Sequence, residues 1–321
     1  MSEFSLSQIR TAPKISVLTG PTACGKSAVA LCLAESFNAE ILSIDSMKVY
    51  RGLDIGTAKP GRGTRAARMH HLIDIKDAWE SFCVAEFIQA AESTIAACAQ
   101  RGTFLLGEGG TPMYLKALSE GLFAGPGRDA EIRAKLEAEA AALGTPALHA
   151  RLAGIDPKAA ARILISDLRR IVRALEVHSL TGQPISHFQS QWGVPRTDLD
   201  VRLFCLQLPR VALYPRIDRR IGKMLEAGWL EECKRLLDLS GPRPISREAS
   251  QALGYRTLFA HLRGEMTLAA AKERICFDTH HFARRQIGWF KRMPNITFIE
   301  IEEDEPAEQI ADRLNSIFTD D

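Results

Sequence analysis

Short apolar runs alternate with amphipathic stretches over the first third of the chain. The apolar runs have the length of buried strands and cover Ile15–Thr19, Glu40–Ile44 and Thr103–Leu106. Between them, Ser27–Phe37 and Val84–Gln100 show helical periodicity. Strands that alternate with helices in this way form a parallel sheet joined by crossover helices, so the pattern predicts an α/β fold.

The middle of the chain has a different pattern. Residues 128 to about 181 are rich in Ala and Leu with helical spacing, interrupted at Gly144-Thr145-Pro146 and at Asp156-Pro157. Strand-like runs then return at Val201–Leu208 and Ile296–Ile301. Further helices are predicted over Ile217–Leu239, Ser250–Leu262 and Leu268–Arg292. We therefore expect a core of residues 1–120 and 199–321, interrupted by a helical insertion over residues 121–198.

Composition restricts the class of protein without identifying it. The 321 residues are 46% hydrophobic and 25% charged, which is typical of a globular chain. Net charge is only +2, so a surface for nucleic acid needs local clustering of basic residues. The seven cysteines have neither C-x-x-C nor zinc-site spacing, and residues 1–13 lack an apolar signal segment. We expect a cytoplasmic protein with reduced thiols, no membrane span and a monomeric state.

The most informative stretch matches the spacing G-x-x-x-x-G-K-[ST] of a phosphate loop. It follows the apolar run at residues 15–18 and opens a predicted helix. Its residues are Gly20, Pro21, Thr22, Ala23, Cys24, Gly25, Lys26 and Ser27. In such a loop, backbone N–H groups face a phosphate, the lysine reaches it as a point charge and the Ser27 hydroxyl ligates Mg²⁺. The motif predicts a polyphosphate ligand of the kind that ATP-binding and other nucleotide-binding proteins hold.

Asp45 follows the second predicted strand, at the edge of the sheet where the phosphate loop should lie. Its carboxylate has three possible uses. It can hold Mg²⁺ through water, take a proton from a nucleophile, or cap the next turn. The polar segment Tyr50–Pro60 that follows has neither helical nor strand periodicity, which favours a substrate loop.

Two further motifs, at residues 70–71 and 109–111, each permit a functional and a structural interpretation. The adjacent histidines His70 and His71 are compatible with a metal pair, but neighbouring residues of a strand point to opposite faces, which favours structural hydrogen bonds. Gly109-Gly110-Thr111 follows a predicted strand and precedes a helix. The glycines permit close backbone approach, and the Thr111 hydroxyl is suited either to a reacting group or to an ordinary helix cap.

Three arginines lie on one predicted helix of the insertion, namely Arg169, Arg170 and Arg173. Positions 169 and 173 share a face of that helix. A solvated surface is the simplest interpretation. The absence of acidic residues at matching offsets before Glu176 favours phosphate binding instead.

Taken in order, these motifs resemble the tRNA dimethylallyltransferase (IPP transferase) family. The most specific is the sequence YRGLDIGTAKP at residues 50–60, because phosphate loops occur in many families. The matching segments are residues 20–27, 43–46, 50–60, 70–74, 109–111, 170–177, 251–255 and 284–290.

The resemblance implies a P-loop NTPase-like parallel sheet flanked by helices, with the helical insertion binding tRNA. It implies transfer of a dimethylallyl group from dimethylallyl diphosphate to N6 of adenosine 37, beside the tRNA anticodon, with release of diphosphate. By the same resemblance Asp45 is the general base, Thr111 lies beside the reacting groups, and Lys26 stabilises the leaving diphosphate. The phosphate loop then holds the donor, and Ser27 holds Mg²⁺.

Contacts with the anticodon stem-loop of tRNA are also implied. Family members use the residues that match Asp45, Ser46, Met47, Lys48, Thr111, Arg133, Arg169, Arg170, Ile171, Val172, Arg173, Gln251, Gly254, Tyr255 and Arg256. The chain departs from the family pattern at Met47-Lys48, where smaller or apolar residues are usual, and at Glu108, where an aliphatic residue usually precedes Gly109. A buried carboxylate at residue 108 is costly unless it is paired.

Three other functions remain open on the residues alone. They are prenyl transfer to free AMP or ADP, a small-molecule kinase, and a non-catalytic RNA-binding NTPase regulator. The arginines of the insertion argue against the first, because binding a free mononucleotide does not require a helix with several arginines. No arginine-rich lid follows the core strands, which argues against a kinase.

Overall fold

The computed structural model describes residues 12–122, 125–190, 196–241 and 243–319. Residues 1–11, which belong to the segment expected to lack a signal peptide, lie outside these ranges. The chain divides into two compact units. One comprises Met1–Ser119 and Arg196–Asp321, and the other comprises Glu120–Pro195. None of the helices in the described ranges is both long and apolar enough to cross a membrane.

The larger unit is built on a six-stranded sheet in which every pairing is parallel. The strands are β1 (Lys14–Thr19), β2 (Glu40–Ser43), β3 (His70–His71), β4 (Leu105–Glu108), β5 (Asp200–Gln207) and β6 (Ile296–Glu300). Their order across the sheet is β3-β2-β4-β1-β5-β6. This confirms the predicted α/β fold and places all the carboxyl ends of the strands at one edge.

Helices occupy most of the remaining chain. They are α1 (Lys26–Ser36), α2 (Arg62–Ala67), α3 (Val84–Arg101), α4 (Pro112–Glu120), α5 (Ala130–Leu143), α6 (Thr145–Ile155), α7 (Pro157–Ala160), α8 (Leu168–Thr181), α9 (Ile185–Gln189), α10 (Arg210–Glu226), α11 (Trp229–Ser240), α12 (Tyr255–Leu262), α13 (Leu268–Phe290) and α14 (Ala307–Thr319). A 3₁₀ turn covers Ala249–Gln251. The central strands are covered on both faces, so Val17, Leu18 and Leu42 are fully buried.

The largest differences between predicted and observed bounds concern three elements. The expected helix Ile217–Leu239 is two helices, α10 and α11, because the chain turns at Gly228, whose φ is 95°. The expected helix from Ser250 begins only at Tyr255, after the 3₁₀ turn. The strand predicted over Thr103–Leu106 is shifted toward the carboxyl end and finishes at Glu108, which places that carboxylate at the edge of the sheet.

The smaller unit contains helices α5 to α9, which confirms the helical pattern predicted for this part. Helix α5 ends just before Gly144 and α6 ends just before Asp156, at the two predicted interruptions. Asp156 is buried, and its carboxylate accepts hydrogen bonds from the amides of Ala159 at 2.9 Å and Ser186 at 2.8 Å. Leucine, isoleucine and valine side chains from α5, α6 and α8 form a separate core.

Candidate active site

The phosphate loop connects β1 to α1 at the carboxyl edge of the sheet. Strand β1 ends at Thr19 and helix α1 begins at Lys26, so residues 20–25 form the predicted loop. The Lys26 ammonium group donates to the carbonyl of Pro21 at 3.4 Å. The first amides of a helix have no acceptor within it and carry partial positive charge, so the end of α1 is suited to bind an anion.

Two side chains that are distant in sequence hold this loop. Gln286 of α13 is 3% exposed; its Oε1 accepts from the Thr22 amide at 2.9 Å and its Nε2 donates to the Gly110 carbonyl at 2.6 Å. Arg220 of α10 donates to Thr22 Oγ1 at 3.3 Å. Sequence reasoning missed both residues. The only local signal is a polar side chain on the inner face of an amphipathic helix, which is weak.

Asp45 lies two residues beyond the end of β2. Its Oδ1 accepts hydrogen bonds from the amides of Met47 at 2.8 Å and Lys48 at 3.2 Å. The turn-capping interpretation is therefore correct for one carboxylate oxygen. Oδ2 has no hydrogen bond from any residue that the structure describes, and Asp45 is only half-buried. One oxygen fixes the group, and the other can accept a proton.

Thr111 lies directly beside this turn. Its Oγ1 accepts a hydrogen bond from the Ser46 amide at 3.1 Å, and its own amide donates to the Ile44 carbonyl at 3.4 Å. Such a close approach requires glycine at residue 109, because a Cβ there would lie 2.1 Å from the Ile44 carbonyl oxygen. The Thr111 hydroxyl is an acceptor here and keeps its hydrogen for another partner.

Glu108, Lys48 and Ser27 form a polar cluster at the phosphate loop, in which Glu108 and Lys48 are buried and Ser27 is exposed. The Ser27 hydroxyl donates to Glu108 Oε1 at 2.8 Å, and the Lys48 ammonium donates to Oε2 at 3.0 Å. Burial raises the pKa of Glu108, but the charges of Lys48 and Lys26 and these two hydrogen bonds outweigh it and hold that pKa at about 2. Both departures from the family pattern therefore pair with each other, and the carboxylate remains ionised.

The loop after Asp45 is held by one buried glutamate that sequence reasoning missed. Glu232 of α11 is 3% exposed, and its Oε2 accepts the amides of Asp54 at 3.0 Å and Ile55 at 2.8 Å. Its Oε1 accepts the Tyr255 hydroxyl at 2.6 Å. Glu232 thus joins the segment 50–60 to the segment 251–256. Gln251 and Arg256 of that segment are exposed, whereas Gly254 and Tyr255 are buried.

The two histidines have structural hydrogen bonds. His70 Nδ1 lies 2.8 Å from the Arg68 carbonyl oxygen, and His71 Nε2 lies 2.6 Å from Glu40 Oε2. Glu40, His71 and Cys98 lie close enough together to hold a cation. The same Glu40 oxygen already accepts from the Arg101 guanidinium at 2.8 Å, which opposes a second cation there.

The insertion contains a buried ionic cluster that sequence reasoning overlooked. Glu176 of α8 is fully buried, and its carboxylate accepts from Arg133 Nε at 2.7 Å and from one Arg173 nitrogen at 2.6 Å. Burial raises the pKa of Glu176, but the two arginines outweigh it and hold that pKa at about 2. The expectation that no acidic residue lies at a matching offset before Glu176 is wrong, because Asp167 Oδ2 lies 3.4 Å from Arg170 Nε.

The other members of this helix differ in exposure. Arg169 and Arg170 are exposed to solvent, whereas Ile171 is fully buried and Val172 is 2% exposed, both in the core of the insertion. The exposed pair can face an anionic partner directly. The buried pair contributes to the packing that orients α8.

Comparison with known proteins extends over nearly the entire chain. The family model described as IPP transferase matches residues 48–293. A protein named tRNA dimethylallyltransferase from Roseiflexus sp. is 45% identical over 297 residues, which is 92% of this chain and 95% of the relative.

Two solved structures have the same fold. The tRNA isopentenylpyrophosphate transferase of Bacillus halodurans is 36% identical in sequence, and the TM-score is 0.69. The structural alignment covers 95% of this chain and 96% of that one. A eukaryotic dimethylallyltransferase acting on tRNA is 25% identical in sequence, and the TM-score is 0.79. The structural alignment covers 96% of this chain and 79% of that one.

Proposed function

Because the chain belongs to the IPP transferase family, we propose that it transfers a dimethylallyl group from dimethylallyl diphosphate to a tRNA. The acceptor is N6 of adenosine 37, next to the anticodon, and diphosphate is released. The observation that carries the proposal is the contact between Thr111 and the Asp45 turn. It places a carboxylate and a hydroxyl together at the sheet edge that also holds the phosphate loop.

The donor diphosphate is bound by residues 20–27 at the start of α1. Lys26 and the first amides of the helix face the phosphates, and Arg220 adds a positive charge beside Thr22. These groups are fixed before the reaction, so they stabilise the negative charge that grows on the departing diphosphate. Gln286 supports them by fixing the loop from behind.

The oxygen atoms around Ser27 fit Mg²⁺. The Ser27 hydroxyl directs its hydrogen to the Glu108 carboxylate, so its lone pairs are free for a cation, and hydroxyl and carboxylate oxygens are the ligand type that Mg²⁺ prefers. Ser27 would hold the ion together with the donor phosphates. When bound, Mg²⁺ neutralises part of the diphosphate charge.

Asp45 is proposed to remove the proton from N6 of the adenine. Its Oδ1 is fixed by two backbone amides, which leaves Oδ2 to accept this proton as the new carbon–nitrogen bond forms. The hydroxyl of Thr111 can donate a hydrogen bond to the adenine or to dimethylallyl diphosphate. The adenine must leave its stack to reach these groups, which costs a few kcal/mol and is easiest in a single-stranded loop.

The exposed basic residues are proposed to hold the anticodon stem-loop. Arg169 and Arg170 of the insertion and Arg256 of the larger unit are exposed and suited to contact phosphates. Arg133 and Arg173 are proposed to contribute chiefly by maintaining the shape of the insertion through Glu176. With tRNA as substrate, we place the activity in the cytoplasm and expect a monomer.

The decisive test of this function is Asp45→Asn assayed with labelled dimethylallyl diphosphate and unmodified tRNA. We expect turnover to fall by about 10²- to 10⁴-fold, the usual contribution of a general base, with the tRNA dissociation constant within a few-fold of wild type. Asp312→Asn on the exposed face of α14 is the matched control. Normal turnover of Asp45→Asn would exclude Asp45 as the general base. Label on AMP alone, or phosphate transfer from ATP, would exclude the function.

A further inference from the structure

Glu108 occupies a distinctive place in the sheet. Strand β4 lies next to β1, the strand that leads into the phosphate loop, and Glu108 is paired in register with Leu18 of β1. It is 4% exposed and ends β4 at the carboxyl edge. In phosphate-loop enzymes that bind Mg²⁺, an acidic residue works together with the loop serine or threonine to hold the ion.

We propose that Glu108 is a positioning residue of the metal site, which orients the Ser27 hydroxyl and holds water on the bound divalent cation. This inference rests on the proposed function, because the cation is taken to accompany the donor diphosphate. The Ser27 hydrogen points to Glu108 Oε1 at 2.8 Å, so the oxygen lone pairs of Ser27 point elsewhere. The carboxylate keeps further lone pairs for metal-bound water, and such outer partners orient the direct ligands.

A purely structural role explains the cluster less well. A buried ion pair is a weak source of stability, and well-packed apolar residues in its place are often as stable or more so. Here one carboxylate oxygen of the buried pair accepts a hydrogen bond from the Ser27 hydroxyl, the proposed metal ligand of the phosphate loop. An ion pair needed for folding alone has no reason to use one of its oxygens on Ser27.

Lys48 explains how an additional acid is tolerated beside a diphosphate. Its ammonium group lies 3.0 Å from Glu108 Oε2, and both side chains are 6% exposed. The pair has no net charge, so Glu108 does not add net repulsion against the anionic donor. Lys48 is thus the counter-ion that makes the acid compatible with phosphate binding.

The inference is tested by measuring metal binding directly. Mn²⁺ with inorganic diphosphate is titrated into the full-length protein, and protein-bound Mn²⁺ is followed by its enhancement of water-proton relaxation, which distinguishes it from Mn²⁺–diphosphate in solution. We expect Glu108→Gln to weaken Mn²⁺ binding by about 10- to 100-fold, the usual effect of removing an outer partner of a metal ligand. Glu92→Gln, on α3 and paired with Arg196, is the matched control and should bind Mn²⁺ like wild type.

The double variant Lys48→Leu/Glu108→Val distinguishes positioning from folding. It removes both charges together, so we expect a melting temperature close to that of wild type while Mn²⁺ binding stays weak. Wild-type Mn²⁺ affinity in Glu108→Gln or in the double variant would overturn the inference.

The inference and the proposed function fail in different ways. Wild-type protein that prenylates tRNA, together with Glu108→Gln that binds Mn²⁺ normally, overturns the inference alone. Wild-type protein that binds Mn²⁺ with diphosphate through Glu108 but does not modify tRNA supports the inference and overturns the proposed function.

Discussion

Replacement of Glu176 by glutamine tests the ionic cluster of the insertion. The carboxylate is fully buried and accepts hydrogen bonds from Arg133, Arg173 and the amide of Asp129, the last at 2.8 Å. Glu176→Gln removes the negative charge between two guanidinium groups and keeps the shape of the side chain. We therefore expect the insertion to lose stability without losing its packing.

The size of this loss follows from the pKa of the carboxyl. The pKa of Glu176 is held at about 2 in the folded protein, against an ordinary value of 4.5. At 1.36 kcal/mol per pKa unit, this difference corresponds to about 3 kcal/mol in favour of the ionised form. Because the folded pKa lies below the unfolded one, the stabilisation is complete above about pH 4.5 and is lost as the pH falls from there through about 2.

The assay is urea denaturation followed by circular dichroism, at neutral pH and at about pH 3. Glu176→Gln should be less stable than wild type by about 3 kcal/mol at neutral pH, and the difference should shrink in acid. Glu139→Gln is the matched control, because Glu139 pairs with Arg151 at 2.9 Å on the surface of the same unit. That exposed pair should contribute less than about 1 kcal/mol. Equal losses in both variants, or a difference that does not change with pH, would refute the reasoning.

Two further substitutions test the packing of the segment 50–60 and the binding of tRNA by the insertion. Gly56→Ala would place a Cβ 2.2 Å from Nε1 of Trp229, so we expect a loss of about 1–3 kcal/mol in thermal unfolding. Gly61→Ala, where a Cβ meets no atom within 4 Å, should lack this loss, and an equal effect would contradict the steric argument. Arg169→Ala should weaken tRNA binding and lower the salt-dependence slope by about 1, with an unchanged melting temperature. An unaltered slope would remove Arg169 from the interface.

The sequence alone predicted five of the six strands and the loop that follows β1, whereas β3 and the order of the strands came from the structure. Apolar runs of strand length predict buried parallel strands because both faces of such a sheet are covered, and β1, β2 and β5 follow that pattern closely. The glycines and the Lys26-Ser27 pair identify the phosphate loop because their spacing is imposed by local backbone geometry. The helix breaks at Gly144 and Asp156 were also predictable, since glycine and an Asp-Pro pair disfavour helix continuation.

Only the tertiary structure decided which side chains meet. Gln286 and Thr22 are 264 residues apart in sequence, and Glu232 lies 178 residues from Asp54. No local pattern encodes such contacts, because they depend on how α11 and α13 pack against the sheet edge. The same holds for Glu108, whose carboxylate is an unexplained departure in the sequence and an ion pair with Lys48 in the fold. Local propensity fixes elements, whereas burial and pairing of charges are set by packing between them.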